Sequence, residues 1–306
     1  MNPEPVNCPV CSLPSALWSN ASDREYFSVA GEFSYFGCGS CGTIFIHPVP
    51  VELLARIYPP NYYSFVNKGG NIVTRLKEWL DKRFFRKILR AIPGEELHVL
   101  DVGGGTGWML DILKKAEKRI SHTQVVDIDE KAMDLAVERG HSYFKGTMEA
   151  FTTGKKYHLI LMLNLVEHVH DPLGILKKAE SLLAPGGRIV IKTPNAQSWD
   201  ASLFRNSYWG GLHAPRHWVI FSKKSFIKLL TSTSLEIDTL QYTQGAPFWA
   251  FSIIAALHKK GWIKVSAERP VIFHWLFAPL SAVFAIFDFA RRPFAPTSQM
   301  FLTLRK

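Results

Sequence analysis

Apolar and polar positions change period several times along the 306-residue chain. "LHVLDV", "HTQVVDI", "SYFKGT", "YHLILMLNLV" and "GRIVIKTP", between Leu97 and Pro194, are short apolar runs and read as strands. Between them, "WMLDILKKAEK", "KAMDLAVERG" and "PLGILKKAESLL" repeat apolar residues at three- and four-residue spacing and read as helices. Alternation at this spacing predicts a mostly parallel sheet wound with helices on both faces, with ligands beyond the carboxyl ends of its strands. "LEIDTLQYT" and "SQMFLTLRK" read as two closing strands. From Asn71 to Ile92 the pattern predicts one more helix, with Ile72, Leu76, Leu80, Phe84 and Ile88 as its apolar stripe and Lys and Arg elsewhere; Pro93 and Gly94 stop it.

The stretch between the closing strands is too long and too apolar for a turn. From Val271 to Phe287 only His274 and Ser281 are polar, and Pro279 interrupts the run, so a membrane crossing is not expected. Residues 246–292 read instead as two apolar helices bordered by Lys259, Lys260, Lys264, Arg269, Arg291 and Arg292. That suits a hairpin resting on a membrane face; a homodimer interface or a cover over the ligand site is the alternative use.

All four cysteines fall in two Cys-x-x-Cys pairs, Cys8 with Cys11 and Cys38 with Cys41. This is the spacing of a tetrahedral zinc site, and four sulfur ligands leave no open position for chemistry, so the zinc is expected to be structural. The chain then divides into a zinc-ribbon module at 1–50, a connector with the basic amphipathic helix at 51–95, and an α/β domain at 96–306 that carries the 246–292 insertion. No secretory signal is visible, which places the expected site of action in the cytoplasm, with a peripheral position at the inner membrane face if the insertion binds lipid. A net charge of +10 favours partners bearing phosphate. A nucleic-acid-binding protein with a residual cofactor fold is the competing class, but only Arg24 is basic between Cys8 and Cys41, too little to track a phosphate backbone.

The densest chemistry is "LDVGGGTGWMLDIL", from Leu100. Glycine admits positive φ and lets a ligand approach the main chain, so Gly103, Gly105 and Gly107 read as a strand-to-helix turn that cradles a ligand. Asp127 follows about twenty residues later at the end of the next strand, where an acid holds ribose hydroxyls. In this order, "LDVGGGTG", "VVDIDEKAMDLA", "YHLILMLNLVEHVHDP" and "LLAPGGRIVIKTPN" resemble the class I S-adenosylmethionine-dependent methyltransferases, over roughly residues 97–195. The resemblance implies a doubly wound, Rossmann-like, seven-stranded sheet whose last strand is antiparallel. It implies S-adenosyl-L-methionine as cofactor, with Asp101, Gly103, Gly105 and Gly107 around the methionine part and Asp127 on the ribose. Ile128 would lie against adenine, Met148 and Glu149 at the adenine edge, and Asn164 with the cofactor residues at the end of the fourth strand.

"Glu-His-Val-x-Asp-Pro" around His168 resembles a segment common in this superfamily, including the ubiquinone-pathway O-methyltransferases. Where relatives carry a Glu that helps bind a divalent metal, Asn164 stands here, which argues against a metal. "HAPRHWVIFS" resembles the acceptor-lid region of methyltransferases of sugar and surface-polysaccharide pathways, some of which also carry an N-terminal cysteine module. His168 and His217 are the acid/base candidates, with His217 expected nearer the acceptor and Arg216 expected to meet a phosphate or carboxylate on it. Together these imply methyl transfer, chiefly to a hydroxyl, on a sugar, a glycan precursor or a membrane-borne small molecule.

Overall fold

The computed structural model describes residues 5–58, 72–206 and 208–306. Part of the connector "HPVPVELLARIYPPNYYSF", and the side chains of Ile72 and Leu76 in the predicted stripe, lie outside the described residues.

Strands β1 (Val6–Asn7), β2 (Pro14–Ala21), β3 (Phe33–Gly37) and β4 (Ile44–Ile46) form an antiparallel ribbon. After helices α1 (Leu54–Ile57) and α2 (Ile72–Arg90) come β5 (Leu97–Val102), α3 (Trp108–Ala116), β6 (Ile120–Asp127), α4 (Glu130–Glu138), β7 (Ser142–Lys145), β8 (Tyr157–Leu163), α5 (Pro172–Leu182) and β9 (Leu183–Pro194). The chain closes with α6 (Trp199–Leu203), β10 (Val219–Ile220), α7 (Lys223–Leu230), β11 (Glu236–Thr243), α8 (Ala246–Lys259), α9 (Phe277–Arg291) and β12 (Gln299–Arg305). The main sheet has seven strands in the order β11-β12-β9-β8-β5-β6-β7, parallel except for β12. This is the doubly wound α/β sheet the alternation predicts. Leu97, Val99, Leu100, Leu159, Leu161, Ile189 and Ile191 are fully buried, because strands covered on both faces bury both sides of the pleat.

Two expectations shift. Among the described side chains of α2 the buried residues are Phe85 and Leu89, with Ile92 just beyond the helix, whereas Leu80 is exposed and Phe84 and Ile88 only flank the core. A strict four-residue repeat drifts around a helix of 3.6 residues per turn, so the predicted stripe leaves the buried face. Within the insertion, α8 buries Trp249, Ala250, Ile254 and Ala255 against the protein, so the two helices do not form an exposed hairpin. Arg291, expected as a membrane-facing cation, is buried and paired with Asp288 at 2.8 Å.

The boundary near residue 50 marks a change of sheet and not a break in packing. β10, from residues 219–220, pairs antiparallel with β4 and makes the ribbon a five-stranded sheet, while Phe221 bridges to Asn195 beyond β9. One apolar cluster runs from Cys8, Tyr35 and Ile46 through Phe221 to Ile160 and Leu302.

Candidate active site

The strand-to-helix turn after β5 has the strain its glycines predict. Gly103, Gly105 and Gly107 have φ of +74°, +51° and +72°, a region that L side chains avoid. At Gly107 a Cβ would also stand 2.4 Å from the His141 ring, so only glycine fits. At Gly105 a Cβ would meet nothing within 4 Å, and that side of the turn is open. Asp127, at the end of β6, accepts the Gly105 N–H at 2.8 Å and the Asp129 N–H at 3.0 Å. Its carboxyl lies above the usual range, chiefly because it is buried. Asp101 is buried at the end of β5 and is pushed up to about 8 by burial and by the Asp127 charge.

One buried and one half-buried acid at the mouth of an open glycine turn suit a ligand that brings hydroxyls and positive charge. Ile128, beside Asp127, is 57% exposed and offers an apolar surface for a flat ring to cover. Met148 is buried in the core beneath this rim and Glu149 is exposed to solvent. Asn164, just past β8, takes a left-handed φ of +56° and donates its N–H to the Lys192 carbonyl at 2.8 Å. The next residue, Leu165, would stand 3.1 Å from a Cβ on Gly103, so the turn after β8 abuts the glycine turn. These residues fit an S-adenosylmethionine-like nucleoside: carboxylates for hydroxyls and an ammonium, an apolar wall for a base, and bare backbone between.

Three residues beyond Leu165, His168 enters a histidine cluster. Its ring centroid lies 4.6 Å from His217 and 6.3 Å from His213, and His213 lies 5.0 Å from His217. His168 Nδ1 faces the Arg216 carbonyl at 3.0 Å and the Tyr58 hydroxyl at 3.2 Å. A carbonyl can only accept, which assigns the proton to Nδ1 and leaves the lone pair on Nε2. Burial and the neighbouring His213 push this imidazole down to about 3. His217 is more deeply buried; its Nδ1 faces the Gly211 carbonyl at 2.8 Å, and burial lowers it well below the usual histidine range. Its Nε2 is 4.0 Å from Glu167, a fully buried carboxyl pushed up to about 8 by burial, with no hydrogen-bond partner for either oxygen among the described residues. The half-buried His168 is therefore the more accessible base, and His217 stands behind it.

Arg216 does not reach toward an acceptor. Its side chain is fully buried, pairs with Asp23 at 2.9 Å, donates Nε–H to the Ile57 carbonyl at 2.5 Å and lies over the Tyr26 ring. Apart from the Ala214 carbonyl two residues back, which accepts at 3.2 Å, these partners come from the N-terminal segment, so this arginine fastens the lid to the N-terminal module. His213 is bound just as closely to Glu25 of the ribbon. Glu25 and His213 line a narrow cleft with Tyr208, Leu212, Phe251 and Val271. Sequence reasoning passed over Asp23, Glu25, His213 and Glu167. Glu167 and His213 stood inside quoted motifs and could have been found there, whereas nothing local marks Asp23 or Glu25.

The four thiols converge as their spacing predicts. Cys8 and Cys41 Sγ are 3.6 Å apart, Cys11 and Cys38 Sγ 3.5 Å, and all four lie within 4.8 Å of one another. Tetrahedral zinc–sulfur bonds of about 2.3 Å would put sulfurs about 3.8 Å apart, so the cluster fits that ion. Both turns are built alike: the Cys8 and Cys38 carbonyls accept from Ser12 and Gly42, which have φ of +60° and +75°.

Residues 76–240, more than half of the chain, match the family described as a methyltransferase domain. Among curated proteins, the ubiquinone biosynthesis O-methyltransferase of Cereibacter sphaeroides is 31% identical over 121 residues, 37% of this chain and 47% of that protein. That of Ruegeria pomeroyi is 33% identical over the same coverage. The chain thus spans about half the length of the curated relatives it matches. Coclaurine N-methyltransferase, solved with N-methylheliamine and S-adenosylhomocysteine, superposes with a TM-score of 0.52 at 12% identity, covering 84% of this chain and 81% of that one, a likeness of fold.

Proposed function

The chain belongs to the methyltransferase-domain family, and from that premise we propose that it moves a methyl group from S-adenosyl-L-methionine to a hydroxyl of a small acceptor. The observation that carries this reading is the abutment of two turns: the open glycine turn with Asp127, and the turn after β8 that leads to a neutral His168. The sulfonium cofactor supplies an already activated methyl, so what the chain must add is alignment and a place for one proton. Asp127 and the glycine turn hold the nucleoside, and Asp101, buried at the end of β5, lies against that turn. His168 Nε2, neutral throughout the working pH range, accepts the hydroxyl hydrogen as the new bond forms. The names of the curated relatives support oxygen as the methyl-accepting atom. Cys8, Cys11, Cys38 and Cys41 hold one structural zinc, which elemental analysis of protein purified without chelator should find.

Transfer of tritiated methyl from S-adenosylmethionine to fractionated cell lipids and nucleotide sugars tests the reading. His168→Ala should lower turnover by about 10²–10⁴ with cofactor affinity unchanged. Because His168 stays neutral down to about 3, kcat/KM should show no histidine limb near pH 6.5. Preferential binding of a nicotinamide dinucleotide would overturn the assignment, and near-normal turnover of His168→Ala would overturn the base.

A further inference from the structure

The two helices between β11 and β12 are put to different uses. α8 packs inward: Ser252 accepts the Gly210 N–H at 2.9 Å, and a Cβ on Gly210 would stand 2.6 Å from the Phe248 carbonyl. α9 is inverted. Of its fifteen residues only Asp288 and Arg291 are buried, and they are its two charged residues up to that point. Its outer side carries Val283, Ile286 and Phe289, which are 59%, 72% and 70% exposed, with Trp275 before the helix and Phe294 after it 75% and 87% exposed. Positions 275, 279, 282/283, 286, 289/290 and 294 recur every three to four residues and form one uncharged stripe. A helix that hides its ions and shows its hydrocarbon is built for an apolar medium on that side.

We propose that this stripe docks the protein on the surface of an anionic bilayer. Charge around the stripe selects that occupant. Lys259, Lys260, Lys264, Arg269 and Arg292 are exposed in the same segment, Arg292 over the stripe residue Phe289, against the single exposed acid Glu268. Three of these cations rest on aromatic rings, Lys259 over Tyr208 at 5.5 Å, Lys260 over Trp262 at 5.0 Å and Arg292 over Phe289 at 5.5 Å; the last two rings are exposed, so charge and hydrocarbon share an edge, as headgroup and acyl chain do. In a twofold pair of this chain the same patch would face itself, cations against cations, without acids to answer them. No helix of the described residues is long and apolar enough to cross a membrane, and fifteen residues span about 22 Å, so α9 lies along the surface. The insertion springs from the carboxyl end of β11, and α8 packs on the loop that leads to His213. Docking therefore turns the candidate active site toward the bilayer. An acceptor entering from the lipid rests on the methyl-transfer reading; the docking does not.

The test is co-sedimentation of the full chain with vesicles of phosphatidylcholine, alone or mixed with phosphatidylglycerol. Binding should favour the mixed vesicles and weaken as salt rises. Ile286→Glu and Phe289→Glu should each lower partitioning at least about tenfold. Lys259→Glu or Lys260→Glu should lower it about fivefold on mixed vesicles only. S-adenosylmethionine affinity, measured alongside, should stay unchanged in all four, which shows the fold intact and separates docking from methyl transfer. Failure of the intact chain to pellet with either vesicle overturns the proposal. So does a dimer, seen by light scattering, that Ile286→Glu makes monomeric.

Discussion

The two halves of the candidate site are built on opposite principles. The cofactor side is local: Asp101 to Gly107 are consecutive, and Asp127 closes the turn through one hydrogen bond across 22 positions. The acceptor side is assembled from afar. His213, Arg216 and His217 are held by Glu25 and Asp23 from 188 and 193 positions away, by the Ile57 carbonyl and by α8. Local geometry constrains residue types, so it leaves a motif. Remote support constrains only complementarity, which many residue pairs can satisfy, so it leaves none.

That contrast can be broken at its strongest point, the buried Arg216–Asp23 pair. Arg216→Ala strands the Asp23 carboxylate in the interior and should cost about 3–5 kcal/mol of stability in denaturant unfolding, together with acceptor turnover. Replacing both partners by apolar residues should recover most of the stability. Cofactor affinity should move only a few fold; a collapse of cofactor binding would mean that the halves are one unit. Asp127→Ala reverses the pattern. It should weaken S-adenosylmethionine binding by roughly 1.5–3 kcal/mol per lost charge-assisted hydrogen bond, read by calorimetry, and leave the acceptor side folded.

The smallest effect concerns pH. Burial raises Glu167 to about 8 in the folded chain, against about 4.3 for a free glutamate. Between those values the folded state holds a proton that the unfolded state has released, so this contribution is complete below about pH 4 and fades as pH rises toward 8. Asp101, also raised to about 8, slopes the same way. Glu167→Gln cannot ionise, and its melting temperature should fall less steeply than the parent's between pH 5 and 8. Equal slopes would show that Glu167 is already ionised in the folded chain.

Legibility follows the same division. The short strands, the helices between them, the glycine turn and the four thiols are legible from period, spacing and conformational need, all written in adjacent residues, whereas the seven-stranded sheet with its antiparallel β12 follows from the resemblance. The buried phase of α2 was lost because a four-residue repeat does not stay on one face. Arg216 reads as a ligand contact in the sequence because a basic residue beside a histidine carries no sign of the Asp23 that neutralises it. α9 shows its hydrocarbon outward as the hairpin reading expects, whereas α8 packs inward, and periodicity cannot separate the two because both helices are apolar on more than one side.

The strand β10 sets an order of events during synthesis. β4, with Ile44, Phe45 and Ile46 all buried, leaves the ribosome well before Val219 and Ile220, the partners that cover its edge. At about 5–20 residues per second the interval is roughly ten to thirty-five seconds. Through that time the nascent ribbon shows an open apolar edge, the kind of template on which chains aggregate. The backbone hydrogen bonds that shape the two cysteine turns are local, so the thiols can converge at the ribbon's tip while Ser222, which donates to the Cys41 carbonyl, and the edge strand are still to come.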